Sequence, residues 1–391
     1  MGWLYDSQGR IAQAKGEVTV SAEDDIELRL GEEALSPDLS FLTRLDADDL
    51  QSVSVEIRHF GDDELKLMSH LTGLKALNLR LSRVTNECFK TLKQMTSLTV
   101  LDVAYTRVTC EGIAELSGIP LLSLNISHTL PNEDGLCELG TLKQIHQLLY
   151  MDNGISLKGM QSLSRLTELE HLFLTRTNIE NDYLSLMIAF KNLLLIDLSK
   201  TPITDEGTRH LPLATSLRGV LLDDTNTGDD TVDHLTPLQY LFVLSMRNTN
   251  ITDKAIARLS IFPYLRTLAL SKTGITDDAI RDFAALRSLE QLEILSTRIS
   301  REGLERLTHL CPQVSILVGE EEVSEARASA PAEGREHSPA NALRAQIFEL
   351  IVKSALEGAP WREEYAVAME MNMISAEEVE SEIKRRQRRK L

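Results

Sequence analysis

The dominant pattern along this chain is the return of the same apolar positions at a fixed interval. Between residues 193 and 211, Leu193, Ile196 and Leu198 are followed by Thr201, Ile203, Thr204-Asp205, Gly207 and Leu211. Leu241, Leu244, Met246, Thr249, Ile251, Thr252-Asp253 and Leu259 repeat that order, as do Leu265, Leu268, Leu270, Thr273, Ile275, Thr276-Asp277 and Phe283. Full units start near Leu74, Leu98, Leu121, Ile145, Leu169, Leu193, Leu217, Leu241, Leu265 and Leu289, 24 residues apart except from Leu98 to Leu121, which is one shorter. Leu50, Val53 and Val55 open a first repeat-like unit with Phe60 and Leu65 in its later apolar positions, and Val314-Ser-Ile-Leu317 is a partial last one. A fixed period predicts one supersecondary unit per repeat, stacked so that neighbours share a continuous core. The alternation around Ile196 and Leu198 predicts a short parallel strand, leucines inward and the residues between them on a concave face.

The polar positions recur too. Thr106, Thr129, Thr177, Thr201, Thr225, Thr249, Thr273 and Thr297 sit ninth in their units, where the chain turns away from the strand. Three residues on, Thr85, Thr109, Asn132, Ser156, Thr204, Thr252, Thr276 and Ser300 stand where a helix needs an N-cap. Acids follow several of them, as in Thr204-Asp-Glu and Thr276-Asp-Asp, and complement the helix dipole. Their carboxylates are therefore read as structural, not as metal ligands or acid–base groups.

The core Ile203-Thr-Asp-Glu-Gly207, with Ile251-Thr-Asp-Lys-Ala255, resembles the cysteine-containing subclass of leucine-rich repeats. Here Thr mostly replaces the usual Cys at the ninth position and the period is shorter, as in many bacterial repeat proteins. The resemblance covers about residues 46–318. It implies an α/β leucine-rich repeat solenoid, a horseshoe with a parallel β-sheet on the concave face and short helices on the convex face. By analogy with the family's asparagine ladder, it implies that the ninth-position threonines hydrogen-bond backbone in neighbouring turns. It also implies a concave or lateral surface that binds another protein.

Outside the repeats the pattern changes. Residues 1–45 read as an N-terminal cap, with strands at Val18-Thr-Val20 and Ile26–Leu30 and a short helix from Ser36-Pro37-Asp38 to near Leu45. Leu35-Ser-Pro-Asp-Leu39 followed by Asp48-Asp-Leu50 faintly resembles the opening of an F-box, but the spacing is too short. The repeats span 46–319. Residues 320–341, rich in small, polar and proline residues, read as a flexible linker. Residues 342–391 read as a helical appendage: Leu343, Ile347, Leu350 and Ile351 recur at amphipathic spacing, Ser375-Ala-Glu-Glu378 is a capping box, and Lys384-Arg-Arg-Gln-Arg-Arg-Lys390 is a basic end.

Composition narrows the function. A net charge of −18 argues against general nucleic-acid binding by the repeats, though the basic tail leaves that contact open. The four cysteines form no C-x-x-C pair, no signal peptide opens the chain and no stretch is long enough to span a membrane, so a reducing cytoplasm is the expected location. Met1-Gly2 lacks the Ser/Thr a myristoylation motif needs, since Asp6 holds that place.

No catalytic motif is present, and no cofactor or metal is expected. His128, His146 and His171 fall on consecutive repeats with Asp152 beside the first, and are read as polar contacts. The sharper signal is apolar: Leu149, Met151, Phe173, Leu195, Leu221 and Val243 occupy outward strand positions, with Arg176, Lys200, Asp223 and Arg247 at a charged rim. An apolar centre within a polar rim is the anatomy of a protein interface. Because those side chains point away from the leucine core, truncating Phe173 is expected to spare the fold. The reading is a non-enzymatic interaction scaffold for an unknown protein partner. A ubiquitin-ligase substrate adaptor, or an enzyme whose activity resides in the appendage, are the alternatives.

Overall fold

The computed structural model describes residues 2–6, 9–13, 26–30, 39–55, 58–129 and 136–318. They fall in two compact units, one built on residues up to 217 together with 224–226, the other on residues 218–223 and those from 227 onward.

In the first unit, β1 (Gly2–Asp6) pairs antiparallel with both β2 (Gly9–Gln13) and β3 (Glu27–Leu30). From β3 the strands run parallel, each beside the next: β4 (Ser52–Val55), β5 (Ala76–Asn78), β6 (Val100–Asp102), β7 (Ser123–Asn125), β8 (Gln147–Leu149), β9 (His171–Phe173) and β10 (Leu195–Asp197). The second unit holds β11 (Gly219–Leu221), β12 (Val243–Ser245), β13 (Thr267–Ala269), β14 (Gln291–Glu293) and β15 (Ser315–Leu317), also parallel. The middle residue of each short strand is the inward leucine of the pattern. Leu124, Leu148, Leu172 and Ile196 are in register and fully buried, as are Val220, Leu244 and Leu268. Each repeat seals its core against the next, and this continuity supplies the hydrophobic stabilisation that no unit has alone.

After each of β5 to β14 the chain turns through one left-handed residue: Leu81, Tyr105, His128, Asp152, Arg176, Lys200, Asp224, Asn248, Lys272 and Ser296, with φ between 51° and 63°. A non-glycine residue there costs roughly 1 kcal/mol or more, so something must hold the turn. Part of the answer is a backbone bond to the next repeat, as from Arg176 N to Ser199 O at 2.9 Å. The other part is the ninth-position threonine, and here the family analogy needs correction. Thr106, Thr129, Thr177, Thr201, Thr249, Thr273 and Thr297 each donate to the carbonyl three residues back, inside their own turn. The Thr hydroxyl is too short to leave its turn. Where an asparagine stands instead, Asn153 Nδ2 does reach the previous repeat, donating to Ile126 O at 2.8 Å.

The opposite side carries short helices, some α (Leu157–Leu163, Arg301–Leu310) and some 3-10 (Asn181–Ala189), where short α-helices were expected throughout. Ser156 and Ser300 accept from the N–H three residues on, and Thr252 and Thr276 from the N–H two residues on. Thr204 makes no such cap and accepts from Asn181 Nδ2 instead; Asn132 lies outside the described residues. The acids do more than complement a dipole. Asp62, Asp229, Asp253 and Asp277 each accept both the backbone N–H and the hydroxyl of the next repeat's cap residue, Thr85, Thr252, Thr276 and Ser300. This is the ladder that crosses repeats. It also explains the small residue three places after the cap residue: a Cβ added at Gly303 would lie 2.1 Å from Asp277 Oδ1 of the repeat before.

The N-terminal hairpin β1–β2 was not legible in the sequence; β3 and a 3-10 turn at Ser40–Arg44 lie within the stretch read as a cap, and Ser36–Asp38, where its helix was expected to begin, lies outside the described residues. Val18–Val20, the linker and the appendage lie outside the described residues. No described helix is long and apolar enough to cross a membrane.

Candidate functional site

Two strand faces carry the residues singled out above, one in each unit. In the first unit the register sets Leu149 beside Phe173 and Phe173 beside Asp197, while Gln147, His171 and Leu195 form the row alongside. Leu149, Met151 and Leu195 are half-buried. Phe173 keeps the outward register, since Leu172 and Leu174 on either side fill the core, yet it is only 4% exposed. The expectation that its truncation spares the fold therefore fails on burial: removing a buried phenyl ring costs about 3 kcal/mol or more wherever it points.

Beside this apolar group lies a polar one that is not satisfied. His171 is fully buried, and neither ring nitrogen has a hydrogen-bond partner. Gln147 accepts from Ser123 Oγ at 2.6 Å through its Oε1, but its Nε2 is unpartnered, and so is Nδ1 of His146. Burial, reinforced by the neighbouring His146, pushes the His171 pKa down to about 4, so the ring is neutral at pH 7. Buried polar atoms without partners are rare and costly, about 1–3 kcal/mol each.

Along the turn residues of this unit the side chains form a line. The Arg80 guanidinium lies 4.4 Å over the Tyr105 ring, Tyr105 stacks on His128 at 4.0 Å, and His128 Nε2 comes within 2.7 Å of Asp152 Oδ2 without the alignment of a hydrogen bond. Arg176 pairs with Asp152 at 3.0 Å, and Lys200 stands 3.9 Å from Asp224. Because His128 belongs to this line while His171 sits in β9, the three histidines do not assemble. Among the described residues no group of three potential ligands could hold a metal ion.

In the second unit Leu221 and Val243 are half-buried on neighbouring strands. Asp223 and Arg247, expected at a rim, belong instead to a closed network. Arg247 clasps Glu293 with two bonds of 2.7 and 2.6 Å and pairs with Asp223 at 2.7 Å. Ser245 donates to Asp223 and Ser271 to Glu293. Burial opposes the Arg247 charge, but the two carboxylates hold its pKa above the ordinary arginine value. Burial also pushes Glu293 up, and the Arg247 bonds more than reverse that, leaving it below the usual carboxylate range. Glu293 was missed in the sequence; its signal is a strand-face acid two repeats beyond a strand-face arginine.

Comparison with known proteins bears on the fold. An internalin (inlF) of Listeria monocytogenes matches with a TM-score of 0.50 at 17% identity, covering 71% of this chain and 89% of that one. The chain folds as a leucine-rich repeat solenoid. A leucine-rich repeat protein of Leptospira interrogans matches with a TM-score of 0.47 at 16% identity, covering 74% and 89%, and an internalin C2 of Listeria monocytogenes with 0.41 at 21%, covering 54% and 84%. Neither a protein-family model nor a curated protein matches the chain. The repeats here share their architecture with inlF at an identity that speaks for fold alone.

Proposed function

We propose that this chain is a non-catalytic protein-recognition scaffold whose partner packs on the strand face of the first unit, around Leu149, Met151, Phe173 and Leu195, with Arg176 and Lys200 at its margin. The observation that carries this reading is the row in which apolar side chains in register adjoin the unpartnered nitrogens of Gln147 and His171. A partner that covers the half-buried Leu149, Met151 and Leu195 gains apolar burial beside a row that is already dry, which is how interface centres work. Leu221 and Val243, with Asp223 and Arg247 beside them, offer a second apolar strand face in the other unit. The charge of −18 favours a cationic or mixed-charge protein over nucleic acid. Buried free thiols at Cys88, Cys110 and Cys311 suit a reducing cytoplasm.

The test uses the full chain as bait to isolate a partner, with affinity measurements on the purified proteins. Leu149→Asp, at a half-buried strand-face position, is expected to weaken binding roughly 30-fold or more with little change in unfolding midpoint. Arg258→Ala on the helix side is expected to change neither. Normal binding by a stably folded Leu149→Asp chain would remove this face from consideration.

A further inference from the structure

Among the described residues, the last repeat is less covered at its strand than the repeats before it. Ile316 stands in register with Leu292, which is 2% exposed, yet Ile316 itself is only half-buried. Val318, 24 residues after the sealed Ile294 at 1% exposed, is likewise only half-buried. Leu304, in the place of the sealed Ile256 and Ile280, is also half-buried. On the strand side β15 pairs with β14 along one edge, and among the described residues no strand pairs with the other. The first repeats differ: β3 is closed by the antiparallel β1–β2 hairpin, and Leu28, Leu30 and Leu42 are sealed. An uncovered terminal core and a bare strand edge are liabilities that repeat arrays close with a dedicated element.

We propose that the chain's own appendage, residues 342–391, covers this face, laying the stripe Leu343, Ile347, Leu350 and Ile351 across Ile316, Val318 and Leu304. The described residues end at Val318, on the open strand itself. The stripe begins about 25 residues later in the sequence, and a random-coil chain of that length would span roughly 27 Å, ample to return to the final helix. A helix with one apolar stripe needs a surface to bury it, and the last repeat needs an apolar cover. Tethering gives the appendage an effective concentration in the millimolar range, well above that of a second copy at micromolar protein. This inference does not draw on the strand-face reading above and stands or falls apart from it.

Hydrogen exchange on the full-length chain tests it. In the unaltered chain, amides of Ser315–Leu317 and Thr308–Leu310 are expected to be protected. In the full-length Ile347→Asp/Leu350→Asp chain they are expected to exchange at least tenfold faster, while amides of β8–β10 stay unchanged. Val318→Asp, at the half-buried residue just after the last strand, should reproduce the effect from the other side. Unchanged exchange in both variants would overturn the proposal. So would protection in the unaltered chain that grows with protein concentration alongside a dimer in light scattering, since a second copy would then be the cover.

Discussion

The strand faces of the two units solve the same problem in opposite ways. Both place polar side chains on a partly dry surface. In the second unit Arg247, Asp223, Glu293, Ser245 and Ser271 satisfy one another, and a partner would have to break those bonds to use them. In the first, His171, Gln147 and His146 keep unpartnered nitrogens next to Phe173 and Leu149. Low dielectric strengthens a completed network and penalises an incomplete one. One face has therefore committed its hydrogen bonds to the fold, and the other leaves several of them unmade.

The strongest way to break this contrast is to open the closed face. Arg247→Ala leaves Glu293 and Asp223 without their cation in a site where Arg247 is 28% and Glu293 12% exposed at the side chain. The expected loss is about 3 kcal/mol, read from denaturant unfolding, because removing one partner strands the buried charge of the other. The pH dependence has a definite sign. Glu293 is held below its unfolded pKa, so the stabilisation is full above the ordinary carboxylate value and is lost as pH falls through the folded one. The unaltered chain should show that acid loss, and Arg247→Ala should not. A loss below about 0.5 kcal/mol would class the clamp with ordinary surface pairs and erase the contrast.

His171 offers the complementary test on the open face. Its pKa is near 4 in the fold and about 6.5 unfolded, so the unfolded chain binds more protons between those values. Its contribution is complete above pH 6.5 and is lost as pH falls toward 4, by about 3 kcal/mol in total. His171→Phe should flatten the stability profile across that window. At pH 7 it should stabilise the fold by about 1 kcal/mol, since two unsatisfied nitrogens disappear. An unchanged slope between pH 6.5 and 4 would show that the ring is not held neutral by burial.

How far the sequence reached is instructive at particular residues. The leucine period placed β4 to β15, because burial of one residue type at one interval is a strong constraint; it also put Leu149, Phe173 and Leu195 on neighbouring strands. It did not show that Phe173 is buried, which depends on the side chains around it in three dimensions. Nor did it show that Arg247 answers Glu293, a contact spanning 46 residues. The β1–β2 hairpin escaped because five residues such as Gly9–Gln13 carry little alternation. Analogy failed at the threonines, where a hydroxyl replaces a longer amide and bonds the nearest carbonyl.

Those threonines give the smallest effect and the sharpest control, because they should not distinguish the two units at all. Thr201 donates to Leu198 O at 2.5 Å in the first unit, and Thr249 to Met246 O at 2.7 Å in the second; both are less than a tenth exposed. Each closes a turn whose left-handed residue, Lys200 or Asn248, carries backbone strain. Thr201→Val and Thr249→Val keep the shape, remove one hydrogen bond and leave one carbonyl short of a donor, so each should cost on the order of 1 kcal/mol. Partner binding by the folded fraction should not move, because the hydroxyls point into their own turns. Equal losses would confine the difference between the units to their strand faces. A loss confined to one of them would move that difference into the turns, and with it the explanation for why one face keeps its polar atoms unpaired.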